Sequence, residues 1–257
     1  MDYIASGAQA DIYKDGLKAI KIFKENIRKE DIEYESNLQK MALNYGFSVP
    51  KVYDIIEING RFGMEIKYID GIPLGKIILE DNSKISEYLE KSIEVQNEIH
   101  KIETDKFPSM KNKLKNHILH TKKLSEMERE IIIKKLEKTV FDNKLCHGDF
   151  HVFNLIQTQE CIKIIDWICA SSGHPYADIY RTYLLYKLFK EKIANIYLEI
   201  YCQKYKLEKL EILEWELIVT GARLGEYVKD ENEEKILMDI VKNNLKGNSS
   251  ELTKDRK

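Results

Sequence analysis

The sequence has little cysteine, and its cysteines are not arranged as a disulfide framework or as a paired metal site. Four cysteines occur in 257 residues, and no two form a Cys-x-x-Cys pair: Cys146, Cys161, Cys169 and Cys202. No apolar run approaches the roughly 18 residues that a membrane-spanning helix needs, and no signal segment is seen at the start. These absences predict a protein of the reducing cytoplasm with no membrane partner.

The chain also lacks a charge excess of either sign. It has 41 basic and 43 acidic residues, a net charge of -2, so no overall basic field points to nucleic acid. The lysine-rich segment 101–124 lacks the interleaved aromatic residues that stack on bases, and we interpret it as a solvated helical face. With 43% hydrophobic residues, the chain can bury a sizeable core.

Short β-rich runs characterise the first seventy residues. Residues 3–23 predict three strands around the loop Ala5–Gln9 and the hairpin signal Asp15-Gly16. Residues 30–46 have helical spacing and end at a glycine, and residues 49–71 contain two more strands joined at Asn59-Gly60. The pattern predicts a five-stranded antiparallel sheet with one major helix, in a first domain of residues 1–67.

Helical patterns dominate the remainder, which we expect to form a second domain of residues 68–257. The predicted helices cover residues 86–101, 127–138, 177–205 and 210–227. A hairpin interrupts them, and it contains the unusually polar stretch LCHGDFHVFNLI at residues 145–156.

The polar residues of this hairpin form a candidate magnesium site. A three-residue loop that pairs Gln157 with Cys161 places Asn154 opposite Ile164, with Asp166 one diagonal step away on the same face. Asp149 precedes Asn154 by five residues. Mg²⁺ prefers a few hard oxygen ligands and otherwise takes water or substrate phosphates. The pattern therefore predicts a phosphoryl-transfer site.

The motif HGDFHVFN and the later IIDW resemble the catalytic loop and metal-binding segment of the aminoglycoside phosphotransferase and choline kinase family, relatives of the protein kinases. The stretch SSGHPYADIYRTYLLY is similar to the segment that follows in that family. The resemblance covers roughly residues 3–190. It implies an α+β, two-lobed protein-kinase-like fold, with an antiparallel-sheet first lobe and a mainly helical second lobe.

The resemblance also implies roles for the motif residues. Asp149 would orient the acceptor hydroxyl toward the γ-phosphate of ATP or GTP, while Asn154 and Asp166 would hold Mg²⁺. His147 and Asp178 would support the catalytic loop. Two alternatives stay open, a structural histidine at 147 and a helix N-terminal carboxylate at 178.

Lys21 is the candidate phosphate-binding lysine, since AIKIF is similar to the kinase strand that carries one. The ammonium interrupts an apolar strand face, and Glu35 interrupts the apolar stripe of the following helix. Pairing the two charges explains both positions. Lys18 and Glu33 are the alternatives if the register differs, and a snorkelling side chain is the alternative for each.

The remaining nucleotide contacts are expected on the same domain. By resemblance, Met64 would line the base pocket while the backbone of Glu65 and Lys67 would bond the base edge, which does not discriminate ATP from GTP. The loop ASGAQ has a single glycine and offers Ser6 for the phosphates, with an ordinary tight turn as the alternative. Apolar walls, equally interpretable as core, come from Ile4, Ala19 and Ile165.

The acceptor is expected to be small and cationic, either aminoglycoside-like, with a role in antibiotic resistance, or an amino alcohol. Residues 211–234 carry eight acidic and two basic residues, an excess that attracts cations. Glu226 and Asp230, one helical turn apart beside Tyr227, are the candidate amine contacts. The alternative is that the acidic run complements the lysine-rich segment.

Other functions remain as alternatives. A kinase for a neutral sugar or nucleoside would use the same motifs, and a non-catalytic nucleotide-binding regulator would retain the fold. A protein-serine kinase is disfavoured because no activation loop ending in Ala-Pro-Glu follows IDW. Two questions stay open at this point, the oligomeric state and the role of His151, which we interpret as structural.

Overall fold

The computed structural model describes residues 1–7, 9–226 and 230–252. Tyr227, which the sequence placed beside the amine contacts, lies outside these residues. The chain forms two compact units, Met1–Tyr88 with His151–Ala170, and Leu89–Phe150 with Ser171–Lys257. This division differs from the predicted boundary after Lys67, because the polar hairpin pairs with a strand at Ile72–Pro73 and belongs to the first unit.

The strands of the described residues are β1 (Asp2–Ser6), β2 (Ala10–Asp15), β3 (Lys18–Phe23), β4 (Val52–Ile58), β5 (Arg61–Lys67), β6 (Ile72–Pro73), β7 (Lys144–Cys146), β8 (Leu155–Gln157), β9 (Ile162–Ile164) and β10 (Ser171–Gly173). The helices are α1 (Lys29–Asn44), α2 (Leu74–Glu80), α3 (Ile85–His100), α4 (Met110–His120), α5 (Glu126–Lys138), α6 (Pro175–Phe189), α7 (Glu191–Tyr205), α8 (Lys209–Leu213), α9 (Glu216–Arg223) and α10 (Glu231–Leu252). None of the helices described combines the length and the hydrophobicity needed to cross a bilayer.

The first unit contains the predicted five-stranded antiparallel sheet, in the order β1-β2-β3-β5-β4. Helix α1 is the predicted major helix. Its Ile32 packs in one buried cluster with Phe23 of β3 and Met64 of β5. Burial of such side chains is the main force that holds a helix against a sheet.

Two hairpin turns were expected in this sheet. Asn59 and Gly60 both have positive φ, 53° and 76°, as a type I′ turn requires. In the first hairpin Asp15 pairs with Lys18. The turn residues are therefore Gly16, with φ of 60°, and Leu17, one position later than the sequence signal.

The polar hairpin has a different register from the predicted one. Gln157 pairs with Ile162 and Leu155 pairs with Ile164, so the connection has one residue more than predicted. The Thr158 hydroxyl donates to the Cys161 carbonyl at 2.8 Å and closes the turn. This register places Asn154 opposite Ile165, whose N–H donates to the Asn154 carbonyl at 3.0 Å.

The second unit is mainly helical, as predicted, but two of the expected helices are divided. The segment 177–205 forms α6 and α7, because Lys190 between them is extended with φ of -160°. The expected helix 210–227 is replaced, over its described residues, by α8 and α9, and α9 ends at Arg223. Apolar periodicity continues across both breaks, so it did not reveal them.

Candidate active site

Lys21 of β3 lies between two carboxylates of the first unit. Its Nζ is 2.5 Å from Glu35 Oε1 of α1 and 3.7 Å from Asp166 Oδ1, which follows β9. The Glu35 side chain is only 2% exposed and that of Lys21 is 16% exposed. The predicted Lys21–Glu35 pairing is confirmed. Lys18 and Glu33, the alternatives, pair instead with Glu65 and Lys29.

The two carboxylates keep Lys21 charged. Burial alone would lower the pKa of the Lys21 ammonium, but the charges of Asp166 and Glu35 and the hydrogen bond to Glu35 outweigh burial and raise it. A permanent cation at this position can bind phosphate oxygens as a point charge.

Asp166 has the features of a residue that binds a ligand. Its φ is 63°, in the left-handed region, which a short polar side chain tolerates at a small cost. Its Oδ1 is buried and accepts no hydrogen bond from any described residue. Buried oxygens without donors are rare in folded proteins, and a hard cation would satisfy this one.

Backbone hydrogen bonds of Asn154 hold it next to Asp166. Its N–H donates to the His151 carbonyl at 2.8 Å, and its carbonyl accepts from the N–H of Ile165, the residue before Asp166. The side chain is buried, and its Nδ2 is 3.3 Å from His151 Nε2. An amide oxygen and a carboxylate on neighbouring backbone fit Mg²⁺, so the residues present suit the implied metal.

The loop that contains Asp149, in the second unit, is held by Asp178 in the first turn of α6. Gly148 N–H donates to Asp178 Oδ1 at 2.7 Å, and His147 N–H approaches Oδ2 at 3.4 Å. Asp149 N–H donates to His147 Nδ1 at 3.3 Å. Gly148 has φ of 77°, which only glycine adopts without strain. These contacts match the loop support expected of Asp178 and His147.

Three buried residues that the sequence analysis missed complete the surroundings of Asp178. His100 Nε2 is 2.9 Å and Gln96 Nε2 is 3.2 Å from Asp178 Oδ2, and the Tyr197 hydroxyl donates to Gln96 Oε1 at 2.5 Å. Burial raises the pKa of Asp178, but the hydrogen bond and charge of His100 and the Gly148 N–H lower it below the ordinary value. A helical stripe of buried polar residues, Ser92, Gln96 and His100, was the available signal.

Both residues expected at the base edge belong to the sheet, and one of their N–H groups is already engaged. Glu65 lies inside the sheet, opposite Ile20 on one side and Asp54 on the other, and the Lys67 N–H donates to the Lys51 carbonyl at 2.8 Å. The Lys67 N–H is therefore committed to the sheet and not available to a base. Met64 is 1% exposed and belongs to the core of the unit.

The other residues expected to contact the nucleotide differ in their exposure to solvent. Ala19 is buried and Ile165 is half-buried, whereas Ile4 is 46% exposed on the edge strand β1. The Ser6 hydroxyl donates to Asp11 Oδ1 at 2.7 Å, which ties the end of β1 to β2.

Glu226 is paired with two arginines of its own unit. Its carboxylate accepts from Arg181 at 3.0 and 2.6 Å and from Arg223 at 2.8 Å. Burial raises the pKa of Glu226, but the charge of Arg181, a hydrogen bond from His117 and the charge of Arg223 lower it well below the ordinary value. The two arginines already compensate the charge of Glu226. This contradicts its predicted role as a carboxylate available to an amine of the acceptor.

Asp230 does not share a helix with Glu226, so the predicted spacing of one helical turn is wrong. Helix α9 ends at Arg223, and Asp230 caps α10 by accepting from Asn232 N–H at 2.7 Å. Other acidic residues of this segment contact basic ones, Glu233 with Arg223 and Glu234 with Lys123. Lys123 belongs to the lysine-rich segment, as the alternative interpretation expected.

A family comparison agrees with the geometry. The sequence profile of the phosphotransferase enzyme family matches residues 4–213. The chain belongs to the phosphotransferase enzyme family. No curated protein matches this family member significantly.

Solved structures share the fold of this phosphotransferase family member at low sequence identity. Choline kinase LicA from Streptococcus pneumoniae is 19% identical, with a TM-score of 0.63 over 93% of this chain and 92% of that chain. Aminoglycoside phosphotransferase APH(3'')-Id from Streptomyces rimosus, in complex with ADP and streptomycin, is 15% identical, with a TM-score of 0.63 over 88% and 93% of the chains. A thermostable mutant of APH(4)-Ia with AMP-PNP and hygromycin B is 11% identical, with a TM-score of 0.67 over 93% and 92%. The predicted α+β, protein-kinase-like fold is confirmed.

Proposed function

We propose that this phosphotransferase is a magnesium-dependent kinase that transfers the γ-phosphate of a nucleoside triphosphate to a hydroxyl of a small molecule. The observation that carries the proposal is the placement of Lys21 between Glu35 and Asp166, with an oxygen of Asp166 that is buried and receives no hydrogen bond from the residues described. In such a site Glu35 would hold the Lys21 ammonium for the phosphates, and the free oxygen of Asp166 would face the metal ion.

Each residue then has a defined task. Lys21 binds phosphate oxygens of the nucleotide, and Glu35 keeps the ammonium in place. Asn154 and Asp166 hold the metal ion, which when bound neutralises charge on the phosphates. Asp149 accepts a hydrogen bond from the acceptor hydroxyl and orients it for attack. Positioning and charge compensation are the main contributions that a protein makes to phosphoryl transfer.

The base edge is read by the segment that follows β5. The sheet occupies the Lys67 N–H, and the Tyr68 N–H donates to the Leu17 carbonyl at 2.9 Å. The next peptide groups, from Ile69 to Gly71, lie between the paired residues of β5 and β6. Backbone groups there would contact either adenine or guanine, so both ATP and GTP are donors to test.

The acceptor is a small hydroxyl compound, and its positive charge is supported by analogy with choline kinase and the aminoglycoside phosphotransferases among the structural neighbours. The acidic residues of 211–234 lend less support, because Glu226, Glu233 and Glu234 already face basic side chains. Asp230 remains the candidate contact of that segment.

A phosphorylation screen tests the proposal. Purified protein with ATP or GTP and Mg²⁺ is offered aminoglycosides, amino alcohols, neutral sugars and nucleosides, and phosphorylated product is measured by mass spectrometry. We expect one class to be phosphorylated only when Mg²⁺ is present, and Asp166→Ala to abolish the magnesium response. Nucleotide binding without turnover of any acceptor or of water would favour the nucleotide-binding regulator instead.

A further inference from the structure

His151 belongs to the HGDFHVFN motif but has no task in the proposed reaction. It precedes a short 3₁₀ turn at Val152–Asn154, and its carbonyl accepts the Asn154 N–H at 2.8 Å. Its ring also reaches the same residue, with Nε2 at 3.3 Å from Asn154 Nδ2. One residue therefore contacts both the backbone and the side chain of a proposed metal ligand.

The orientation of the Asn154 amide decides whether it can bind a metal. Its backbone is fixed on both sides by His151 and Ile165, so the principal freedom left is rotation of the side chain. A half-turn of the amide exchanges its oxygen and its nitrogen. Only the oxygen can coordinate a cation, since the amide nitrogen carries two hydrogens and no lone pair for a metal.

We propose that His151 is a positioning residue that selects the metal-binding orientation of Asn154. An unprotonated Nε2 accepts a hydrogen bond from Nδ2, and this contact turns Oδ1 away from the imidazole and toward the cation. In the opposite orientation Oδ1 would face the imidazole and be lost as a ligand. The inference rests on the proposed metal site, and it gives His151 the task of a residue that orients a ligand without touching the metal.

The imidazole is itself held by neighbours on the first unit. Its ring meets the Phe153 ring edge-on at 6.1 Å between centroids. Phe153 in turn lies against Gly75 of α2, where an added Cβ would come within 2.5 Å of the ring. The Phe153 ring therefore packs against α2 on one side and borders the His151 imidazole on the other.

Binding of Mn²⁺ as a probe for Mg²⁺ tests the proposal without relying on turnover. The dissociation constant of Mn²⁺ is measured by electron paramagnetic resonance in the presence of saturating AMP-PNP. His151→Phe keeps an aromatic ring but removes the acceptor, and we expect it to weaken Mn²⁺ binding by roughly 10-fold, as loss of an orienting partner does elsewhere. His151→Gln restores an acceptor, and we expect it to stay within about 3-fold of the parent protein.

Asn154→Ala and the double variant distinguish an error in the proposed metal site from an error in the proposed role of His151. Asn154→Ala should weaken Mn²⁺ binding at least as much as His151→Phe, and the double variant should lose no more than Asn154→Ala alone. If Asn154→Ala binds Mn²⁺ normally, the proposed metal site is wrong. If Asn154→Ala weakens Mn²⁺ binding while His151→Phe does not, the positioning role of His151 is wrong and the metal site stands. The same conclusion follows if His151→Gln binds Mn²⁺ as weakly as His151→Phe.

Two further measurements guard against a general structural effect. Thermal unfolding of each variant is followed, and His151→Leu replaces the Phe variant if the larger ring prevents folding. His120→Phe is the matched control, because His120 is an exposed histidine that contacts the Asn116 carbonyl on α4. An equal loss of Mn²⁺ affinity in this control would overturn the proposal.

Discussion

Asp178 Oδ1 accepts a hydrogen bond from the Gly148 N–H at 2.7 Å, so a fully buried carboxylate holds the backbone immediately before Asp149. Asp178→Asn replaces one acceptor oxygen with a donor that faces the N–H groups of Gly148 or His147. We expect a loss of about 2–4 kcal/mol in the free energy of unfolding and a lower kcat with little change in nucleotide KM. Urea unfolding and steady-state kinetics measure the two effects. Unchanged stability would contradict the inferred role.

The same carboxylate predicts a pH dependence of stability. The pKa of Asp178 is lower in the folded protein than its ordinary value of 3.8. Its ionised form therefore stabilises the protein above that value, and the contribution is lost as the pH falls through the folded pKa. The stability difference between the parent protein and Asp178→Asn should be largest near about pH 7 and shrink toward about pH 3. A constant difference over this range would show that ionisation is irrelevant.

Lys21 and Lys18 provide a matched pair for testing nucleotide binding, because both lie on β3 and each contacts one glutamate. Lys21→Met should raise the nucleotide KM or lower kcat, with a loss of kcat/KM of roughly 10²-fold or more. Lys18→Met should have less effect, since the Lys18 side chain is 44% exposed and solvent screens its ion pair with Glu65. Equal effects of the two substitutions would remove the basis for assigning the phosphates to Lys21.

Asp149→Asn tests the assignment of the acceptor hydroxyl. The amide keeps the shape of the side chain but is a poor hydrogen-bond acceptor for a hydroxyl that must lose its proton. Turnover should fall by roughly 10² to 10⁴ while the nucleotide still binds. Single-turnover kinetics and nucleotide titration measure the two quantities. Near-normal turnover would mean that Asp149 is not the residue that orients the hydroxyl.

Glu226→Gln should act on stability and not on the acceptor. The substitution leaves Arg181 and Arg223 without their shared carboxylate, and we expect a loss of about 2–4 kcal/mol. Asp230→Asn, at the start of α10, should cost less than about 1 kcal/mol. Chemical unfolding of both variants and acceptor KM at low and high salt provide the comparison. A rise in acceptor KM for Glu226→Gln with unchanged stability would restore the original expectation.

The Lys21–Glu35 pair was predictable because each charge interrupts a periodic apolar pattern, and a charge in such a position needs a partner. The hairpin register was not predictable to one residue, because a side chain closes the turn: the Thr158 hydroxyl bonds the Cys161 carbonyl. Strand periodicity does not report such a contact.

Partners that are distant in the sequence account for the other differences between the predicted and the observed contacts. Glu226 appeared in the sequence as part of an acidic run, whereas its charge is balanced by Arg181, which lies 45 residues earlier. His100 and Asp178 are separated by 78 residues. Local charge patterns show that such groups need partners, but only the tertiary structure shows which partners they have.

The first unit is assembled from two separate stretches of chain, Met1–Tyr88 and His151–Ala170. During synthesis the sheet and α1 leave the ribosome long before the second stretch, so Lys21 can meet Glu35 early but can meet Asp166 only after about a hundred further residues have been added. A polypeptide cut off before His151 would thus keep the lysine and lack both proposed metal ligands. Dividing the gene at the end of the sheet would not yield a complete nucleotide-binding module; a fusion of the two stretches is the minimal candidate for one.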